Sequence, residues 1–176
     1  MTGLDPAAAP PSEPTAQEPG EPSAQQEVAA QEGPFSAEDV VALRSKKYSQ
    51  VVAVEVNLPQ THGTVVIADV DDASATLEIP VTYEQAATVA RVWRQMERKR
   101  PLLVDAFIEL LNQYSMAVAM VVITGKRDGL YEAELTVLDA AKGRRVVPIR
   151  ASDGILVALA STPPAPLMVE ETLFSR

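Results

Sequence analysis

The sequence predicts an α+β domain, in which a mixed or antiparallel sheet packs against helices, and a disordered tail that precedes it. Hydrophobic residues recur with strand-like and helix-like periods in turn along residues 49–176. The order of these patterns, three strands and then a helix, occurs twice and indicates an internal duplication. Residues 1–34 consist mainly of Pro, Ala, Glu, Gln and Ser. We therefore divide the chain into a tail (1–34), a short helix or linker (35–48) and a domain (49–176).

The tail carries almost all of the net charge. The formal net charge is −9, and residues 1–39 contain eight acidic residues and no Lys or Arg, which leaves −1 for residues 40–176. The acidic composition therefore does not exclude a nucleic-acid partner for the domain. A segment with so few large apolar side chains cannot offset the entropy lost on ordering, which predicts disorder. The tail is either a solubilising extension or an arm that binds a partner or inhibits the domain.

Composition excludes several classes of site. The chain has no Cys, and so no disulfide framework, zinc finger or thiol nucleophile. The longest apolar stretch, Met116 to Ile123, is far shorter than the roughly 20 residues of a membrane-spanning helix. The N-terminus lacks the pattern of a secretory signal, so we expect a cytoplasmic protein without a membrane partner. The single histidine, His62, lies in a sequence that is typical of a turn.

The first half of the domain reads as three strands and a helix. Alternating apolar and polar residues predict strands over Val51–Leu58, Thr64–Val70 and Thr76–Val81. Thr82 and Gln85 have the spacing of a capping box, which opens a helix that extends to about Arg98. A shorter helix, capped within 36–39, is predicted ahead of the first strand.

A second helix and a second set of strands follow. Pro101 suits the first turn of a helix over Leu102–Tyr114. The next strand, Met116–Thr124, is almost wholly apolar, as expected for a strand covered on both faces. The remaining elements are strands over Leu130–Leu138 and Arg145–Ile149, an apolar helix over Ser152–Ser161 and a last strand over Leu167–Glu170.

The two halves share a local pattern that supports the duplication. Ile79-Pro80-Val81 ends the third strand of the first half, and Val147-Pro148-Ile149 ends the third strand of the second. In both, an acidic residue and small apolar residues follow at the start of a helix. The pattern predicts a pseudo-symmetric domain with both helices on one side of the sheet.

Basic residues form two groups in the sequence of the domain. Arg91, Arg94 and Arg98 recur at helical spacing, and Lys99 and Arg100 extend them. The second group lies at two predicted hairpin turns. Each group is either a solvated surface with salt bridges or a surface that contacts phosphate groups. The second group comprises Lys126, Arg127, Lys142, Arg144 and Arg145.

The start of the apolar helix is the most distinctive local motif. Ser152 or Asp153 can cap this helix, and Arg150 precedes it. The N–H groups of a helix N-terminus favour anions, and arginine binds carboxylate or phosphate with two parallel hydrogen bonds. The motif therefore predicts either an anion site or an ordinary cap beside a surface arginine.

Several short motifs together resemble the bifunctional nuclease (BFN) domain family of bacteria and plants. They occur in the same order and with similar spacing over nearly the whole domain. The motifs are Leu77-Glu78-Ile79-Pro80-Val81, Arg100-Pro101-Leu102, Asp105, Gly129-Leu130-Tyr131-Glu132-Ala133-Glu134-Leu135, Arg150-Ala151-Ser152-Asp153 and Val169-Glu170-Glu171.

The resemblance implies a compact α+β domain, a homodimer, and hydrolysis of both DNA and RNA. Our hypothesis for this activity is a metal-assisted nuclease that uses a divalent ion, Mg²⁺ or Mn²⁺, and no organic cofactor. The catalytic residues would be Asp105, Arg150, Ser152, Asp153 and Glu170, with the metal bound by Asp105, Asp153, Glu170 and Glu171. The residues that contact nucleic acid would be Arg91, Arg94, Arg98, Lys99, Arg100, Arg144 and Arg145.

The sequence departs from the family pattern in two places. Leu103 and Val104 stand where the family commonly has Thr-His, and Ala151 stands where it commonly has Pro. The first departure removes the imidazole that would lie next to Asp105. An alternative function is therefore a catalytically impaired, dimeric binding or regulatory module, with the apolar helix segment 154–160 at the dimer seam. An anion sensor at Ser152 is a third possibility.

Overall fold

The computed structural model describes residues 42–56, 61–97 and 99–175. The predicted disordered tail lies outside these ranges, as do residues 36–41 of the short helix predicted to be capped within 36–39 and to cover Val40, Val41 and Leu43. The strands are β1 (Lys46–Val56), β2 (His62–Asp69), β3 (Thr76–Thr82), β4 (Met116–Arg127), β5 (Leu130–Asp139), β6 (Gly143–Arg150) and β7 (Leu167–Glu170). The α-helices are α1 (Tyr83–Trp93), α2 (Leu103–Gln113) and α3 (Ala151–Ala160), and a 3₁₀ turn covers Glu171–Leu173.

All seven strands form one mixed sheet with the order β3-β2-β1-β7-β4-β5-β6. Neighbouring strands run antiparallel except β4 and β7, which are parallel, with Val121 opposite Leu167. Strand β7 therefore lies between two antiparallel meanders, and each meander is followed directly by a helix. This arrangement confirms the predicted α+β class and repeats the strand-strand-strand-helix order on both sides of β7.

The helices cover one face of the sheet. The main hydrophobic core lies between the helices and this face of the sheet, and its largest fully buried side chains include Ile67, Val121, Ile123 and Ile155. A smaller cluster of Met120, Val122 and Met168, packed against Leu43, lies on the other face, since strand side chains alternate. None of the helices in the described ranges has the length and apolar composition that crossing a bilayer requires.

Each repeated helix approaches the sheet so closely that a glycine is required at the contact. A Cβ atom on Gly63 of β2 would lie 2.6 Å from the Cβ atom of Ala86 in α1. In the second half the glycine is on the helix, because a Cβ on Gly154 of α3 would lie 2.8 Å from Val121 Cγ1. The same Cβ would lie 3.6 Å from that of Ala133 on β5. Both halves therefore have a close contact between helix and sheet, with the glycine on the strand in the first half and on the helix in the second.

The first helix ends earlier than predicted. Helix α1 stops at Trp93 rather than near Arg98, because Gln95 adopts a left-handed conformation with φ +50°. The N–H of Gln95 donates to Val92 O and the N–H of Met96 to Arg91 O, both at 3.0 Å. These two bonds form a Schellman motif, which satisfies the last carbonyl groups of the helix and redirects the chain.

Candidate functional site

The junction between β6 and α3 brings three predicted residues together. Arg150 is the last residue of β6, and Ser152 and Asp153 lie in the first turn of α3. The Arg150 Nε–H donates to Asp153 Oδ2 at 2.8 Å. Because 71% of the Arg150 side chain remains exposed, its other guanidinium N–H groups face solvent. Asp153 therefore orients the guanidinium without burying it.

Ser152 is bonded to the other half of the domain. The Gln85 Nε2–H donates to Ser152 Oγ at 3.2 Å, which links the starts of α1 and α3 across 67 residues of sequence. Gln85 also forms the predicted capping box: its Oε1 accepts from Thr82 N at 3.0 Å, and Thr82 Oγ1 accepts from Gln85 N at 3.3 Å. The capping box of one half thus holds a side chain of the other.

Two adjoining cavities surround this junction, and we refer to them together as the Arg150 cleft. The smaller measures about 240 Å³ and the larger about 610 Å³. Both are lined by Leu130, Tyr131 and Arg150. The smaller is also lined by Thr82, Gln85 and Ser152, and the larger by Arg127, Asp128, Glu132 and Glu134.

Tyr131 brings an aromatic ring to the Arg150 cleft. The Lys126 Nζ lies 4.8 Å from the centre of this ring, a cation–π contact across the β4–β5 hairpin. Arg127 pairs with Glu132 at 3.4 Å on the same hairpin. Sequence reasoning assigned no site role to Tyr131 or Gln85. The position of Tyr131 just after the hairpin turn, within a motif of the family resemblance, is the signal that could have identified it.

Asp105 lies elsewhere, in the first turn of α2. Its Oδ2 accepts from Leu102 N at 2.7 Å, which is the role of a helix-capping carboxylate. It lines a separate cavity of about 570 Å³ with Arg100 and with Ser161, just beyond the end of α3. Asp153 lies near the start of α3, eight residues before Ser161 and so roughly 12 Å from it along the helix axis. The structure therefore does not bring Asp105 to the Arg150 cleft.

The last two predicted acidic residues lie apart from both cavities. Glu170 Oε1 pairs with Lys46 Nζ at 3.0 Å. Since Val169 faces the main core, Glu170 faces the side of the sheet opposite the helices. Glu171 begins the 3₁₀ turn. The residues that the structure describes contain no group of three or more His, Asp or Glu that fits a metal, so the four predicted ligands share no site.

The predicted nucleic-acid contacts of the first basic group do not lie along one helix. Arg91 is in the last turn of α1, Arg94 is 5.9 Å from the ring of Trp93, and Lys99 and Arg100 lie beyond the helix end. Arg98 lies outside the described residues. A single helical face is therefore wrong, because the Schellman motif ends the helix first.

The two arginines of β6 are also remote from the cleft. Arg144 and Arg145 lie near the start of β6, six and five residues before Arg150, which corresponds to roughly 20 and 17 Å. Their side chains alternate and so point to opposite faces of the sheet. Among the described residues, Arg127 lines the larger cavity of the cleft and Lys126 contacts its Tyr131, both at the β4–β5 hairpin.

The two residues of α2 that depart from the family pattern differ in burial. Val104 is 7% exposed and packs in the main core, whereas Leu103 is 87% exposed. The side chain next to Asp105 thus points into the core. His62 begins β2 and pairs with Thr82, so it belongs to a strand and not to the predicted turn.

The segment predicted as a dimer seam, residues 154–160 of α3, is partly committed to the core. Gly154, Ile155, Val157 and Ala158 are buried, whereas Leu156, Leu159 and Ala160 are only partly buried. The dimer seam stays a prediction, and only the partly buried residues of the segment could take part in it.

Fold and site together define a class: a small α+β domain with a charged, hydrogen-bonded cleft at the start of a helix that leaves the sheet edge. The sequence model of the bifunctional nuclease domain family matches residues 65–176, well over half of the chain. The chain belongs to this family, as the resemblance predicts. The match begins within β2 and includes every residue of the β6–α3 junction. No curated protein matches the chain.

Proposed function

We propose that this domain hydrolyses phosphodiester bonds of DNA and RNA at the Arg150 cleft. The observation that carries the proposal is the convergence of Arg150 and Ser152 on one accessible cavity, with the Arg150 guanidinium held by Asp153 at 2.8 Å. Membership of the bifunctional nuclease domain family supports the choice of substrate.

The chemistry of the cleft suits a phosphodiester. Arg150 carries a permanent charge and a planar array of donors that matches two phosphate oxygens. The Ser152 hydroxyl and the N–H groups of the first turn of α3 add uncharged hydrogen-bond donors. Donors fixed before the reaction stabilise the charge that develops on phosphate oxygens in the transition state. Asp153 holds the guanidinium in place for this role.

Whether the cleavage requires a metal ion is tested separately from the position of the site. Mg²⁺ or Mn²⁺ would supply an activated water and neutralise developing charge. The carboxylates predicted as its ligands do not fit a common site among the described residues. We therefore assign no step to a metal ion and vary the ion in the experiment.

The test is cleavage of labelled single- and double-stranded DNA and RNA by the purified full chain, with Mg²⁺, with Mn²⁺ and with chelator. We expect Arg150→Ala to lower kcat/KM by about 100-fold and Ser152→Ala by about tenfold, as when one transition-state donor is lost. Arg44→Ala removes another exposed arginine, which lines none of the cavities described above, and is the matched control. Cleavage that survives Arg150→Ala unchanged would overturn the proposed site.

A binding or regulatory module without catalysis is the second candidate. The buried Val104 favours it, because no imidazole stands beside Asp105 to act as a base. In this case the full chain binds labelled oligonucleotides in an anisotropy titration but leaves them intact with either metal. Light scattering on the same sample gives the oligomeric state, and a dimer would support this candidate.

A further inference from the structure

We propose that Gln85 is a positioning residue that directs the Ser152 hydroxyl proton toward a phosphate oxygen in the Arg150 cleft. The inference rests on the proposed function and deepens it, since it assigns Ser152 to binding the phosphodiester rather than attacking it. It starts from the hydrogen bond that joins the two halves of the domain, 3.2 Å from Gln85 Nε2 to Ser152 Oγ.

The orientation of the Gln85 amide is fixed by its other partner. The backbone N–H of Thr82 can only donate, so the atom 3.0 Å from it must be the amide oxygen. The amide nitrogen therefore faces Ser152 and donates. A second bond, from Gln85 N to Thr82 Oγ1 at 3.3 Å, holds the residue at the start of α1.

The direction of this bond determines what Ser152 offers to a ligand. A hydroxyl group has one proton and two acceptor sites, and the bond from Gln85 occupies one acceptor site. The proton of Ser152 therefore serves a different acceptor. Ser152, Gln85 and Arg150 all line the smaller cavity of the cleft. A phosphodiester there would meet the Arg150 guanidinium and the Ser152 hydroxyl as two donors.

The same bond argues against a serine nucleophile. A nucleophilic serine passes its proton to a neighbouring base. The side chain that bonds to Ser152 is an amide donor, which cannot accept that proton. Gln85 thus fixes Ser152 in a binding role.

Gln85→Glu is the sharpest test, because it reverses the bond without removing the cap. A glutamate at this helix position accepts from Thr82 N as glutamine does, so we expect the melting temperature to be unchanged or higher. The carboxylate accepts from Ser152 instead of donating to it, which turns the hydroxyl proton away from the cleft. We expect the Kd for a labelled single-stranded oligonucleotide, measured by anisotropy in chelator, to rise about tenfold.

A double-mutant cycle with Ser152→Ala separates this effect from the added negative charge. Charge alone would weaken binding by the same factor in both backgrounds. The proposal predicts a much smaller effect of Gln85→Glu in the Ser152→Ala background, because no hydroxyl remains to be reversed. Equal effects in both backgrounds, or unchanged binding in Gln85→Glu, would overturn it.

A second probe separates this inference from the proposed function. Inorganic phosphate is titrated into the ¹⁵N-labelled full chain, and amide signals of residues 150–154 are followed by NMR. If the wild-type chain neither binds nor cleaves oligonucleotides, the nuclease proposal fails. The role of Gln85 is then supported if phosphate shifts these signals in wild type but not in Gln85→Glu, and is overturned if both proteins respond alike.

Discussion

At the scale of single residues, Asp105 was predicted to be catalytic, but in the structure its carboxylate caps a helix. Its contact with Leu102 N at 2.7 Å caps α2. We expect Asp105→Ala to lower the free energy of unfolding by about 1 kcal/mol, the usual cost of losing a helix cap. Asp105→Asn retains an acceptor oxygen and should lose much less. Urea unfolding of the three proteins measures both values.

The same pair of variants separates the structural role from a catalytic one. If Asp105 acts only as a cap, Asp105→Asn retains cleavage activity close to wild type. If both Asp105→Asn and Asp105→Ala abolish nuclease activity while Asp105→Asn remains stable, Asp105 instead has a catalytic role.

A second residue-scale prediction concerns pH. Backbone hydrogen bonds from Ala141, at 2.8 Å, and Lys142 hold the pKa of Asp139 below its usual value of 3.8, and the charges of Lys142 and Arg145 act in the same direction. The lowered folded-state pKa means that ionised Asp139 stabilises the β5–β6 turn above pH 3.8. That contribution is lost as the pH falls through the folded-state pKa.

Asp139→Asn tests this linkage. We expect the variant to be less stable than wild type at neutral pH, and the difference to shrink as the pH is lowered below about 3.8. Urea unfolding at neutral and acidic pH measures the difference. A gap that stays constant over this range would contradict a role for the ionised carboxylate.

At the scale of the elements, the close approach of helix and sheet makes the two glycines unequal. A Cβ on Gly63 would meet Ala86 Cβ and also the backbone oxygen of Glu55, both at 2.6 Å, and neither can rotate away. A Cβ on Gly154 would chiefly meet Val121 Cγ1, which can shift. We expect Gly63→Ala to cost about 2–3 kcal/mol, within the usual range for overpacking a core.

Gly154→Ala is the matched comparison. Alanine within a helix gains roughly 1 kcal/mol of helix propensity over glycine, which offsets part of the clash. The free energy of unfolding should therefore fall less for Gly154→Ala than for Gly63→Ala in the same denaturant titration. The reverse order would show that Val121 cannot yield and that the second half is packed more tightly.

The elements themselves were largely predictable from the sequence. Every strand and helix predicted within the described residues is present, because hydrophobic period and the cap at Thr82 are local signals. The end of α1 was not predictable, since Gln95 adopts the left-handed conformation that glycine or asparagine usually signals. Strand β1 begins earlier than expected because Lys46 pairs with Glu170 of β7, a partner far along the chain.

At the scale of the whole molecule, the candidate site was also predictable only where its residues are close in sequence. Arg150, Ser152 and Asp153 were found because they are contiguous in sequence. The structure does not bring Asp105 and Glu170 to the same place, and the sequence could not show this, because their separation depends on the order of all seven strands. Gln85 was missed for the same reason: its partner Ser152 is brought close only when the two halves of the domain meet.

The repeat places two different side-chain pairs at equivalent helix starts. In the aligned pattern, Thr82 and Gln85 of the first half correspond to Arg150 and Asp153 of the second. The first pair forms a capping box, and the second forms an ion pair at 2.8 Å. The first half thus supplies an uncharged pair, and the second presents the Arg150 guanidinium to the smaller cavity, which residues of both halves line.

The distribution of cations over the whole molecule predicts a weak dependence of nucleic-acid binding on salt. Only Lys126, Arg127 and Arg150 lie at or beside the cleft among the residues described. Each phosphate neutralised on a single strand contributes about −0.7 to the slope of log K against log [salt], so three contacts give about −2. Engagement of all seven arginines and lysines predicted from the sequence would give about −5. Anisotropy titrations of the full chain at several salt concentrations distinguish the two. A slope near −5 would show that the dispersed cations act together and that the binding surface extends far beyond the Arg150 cleft.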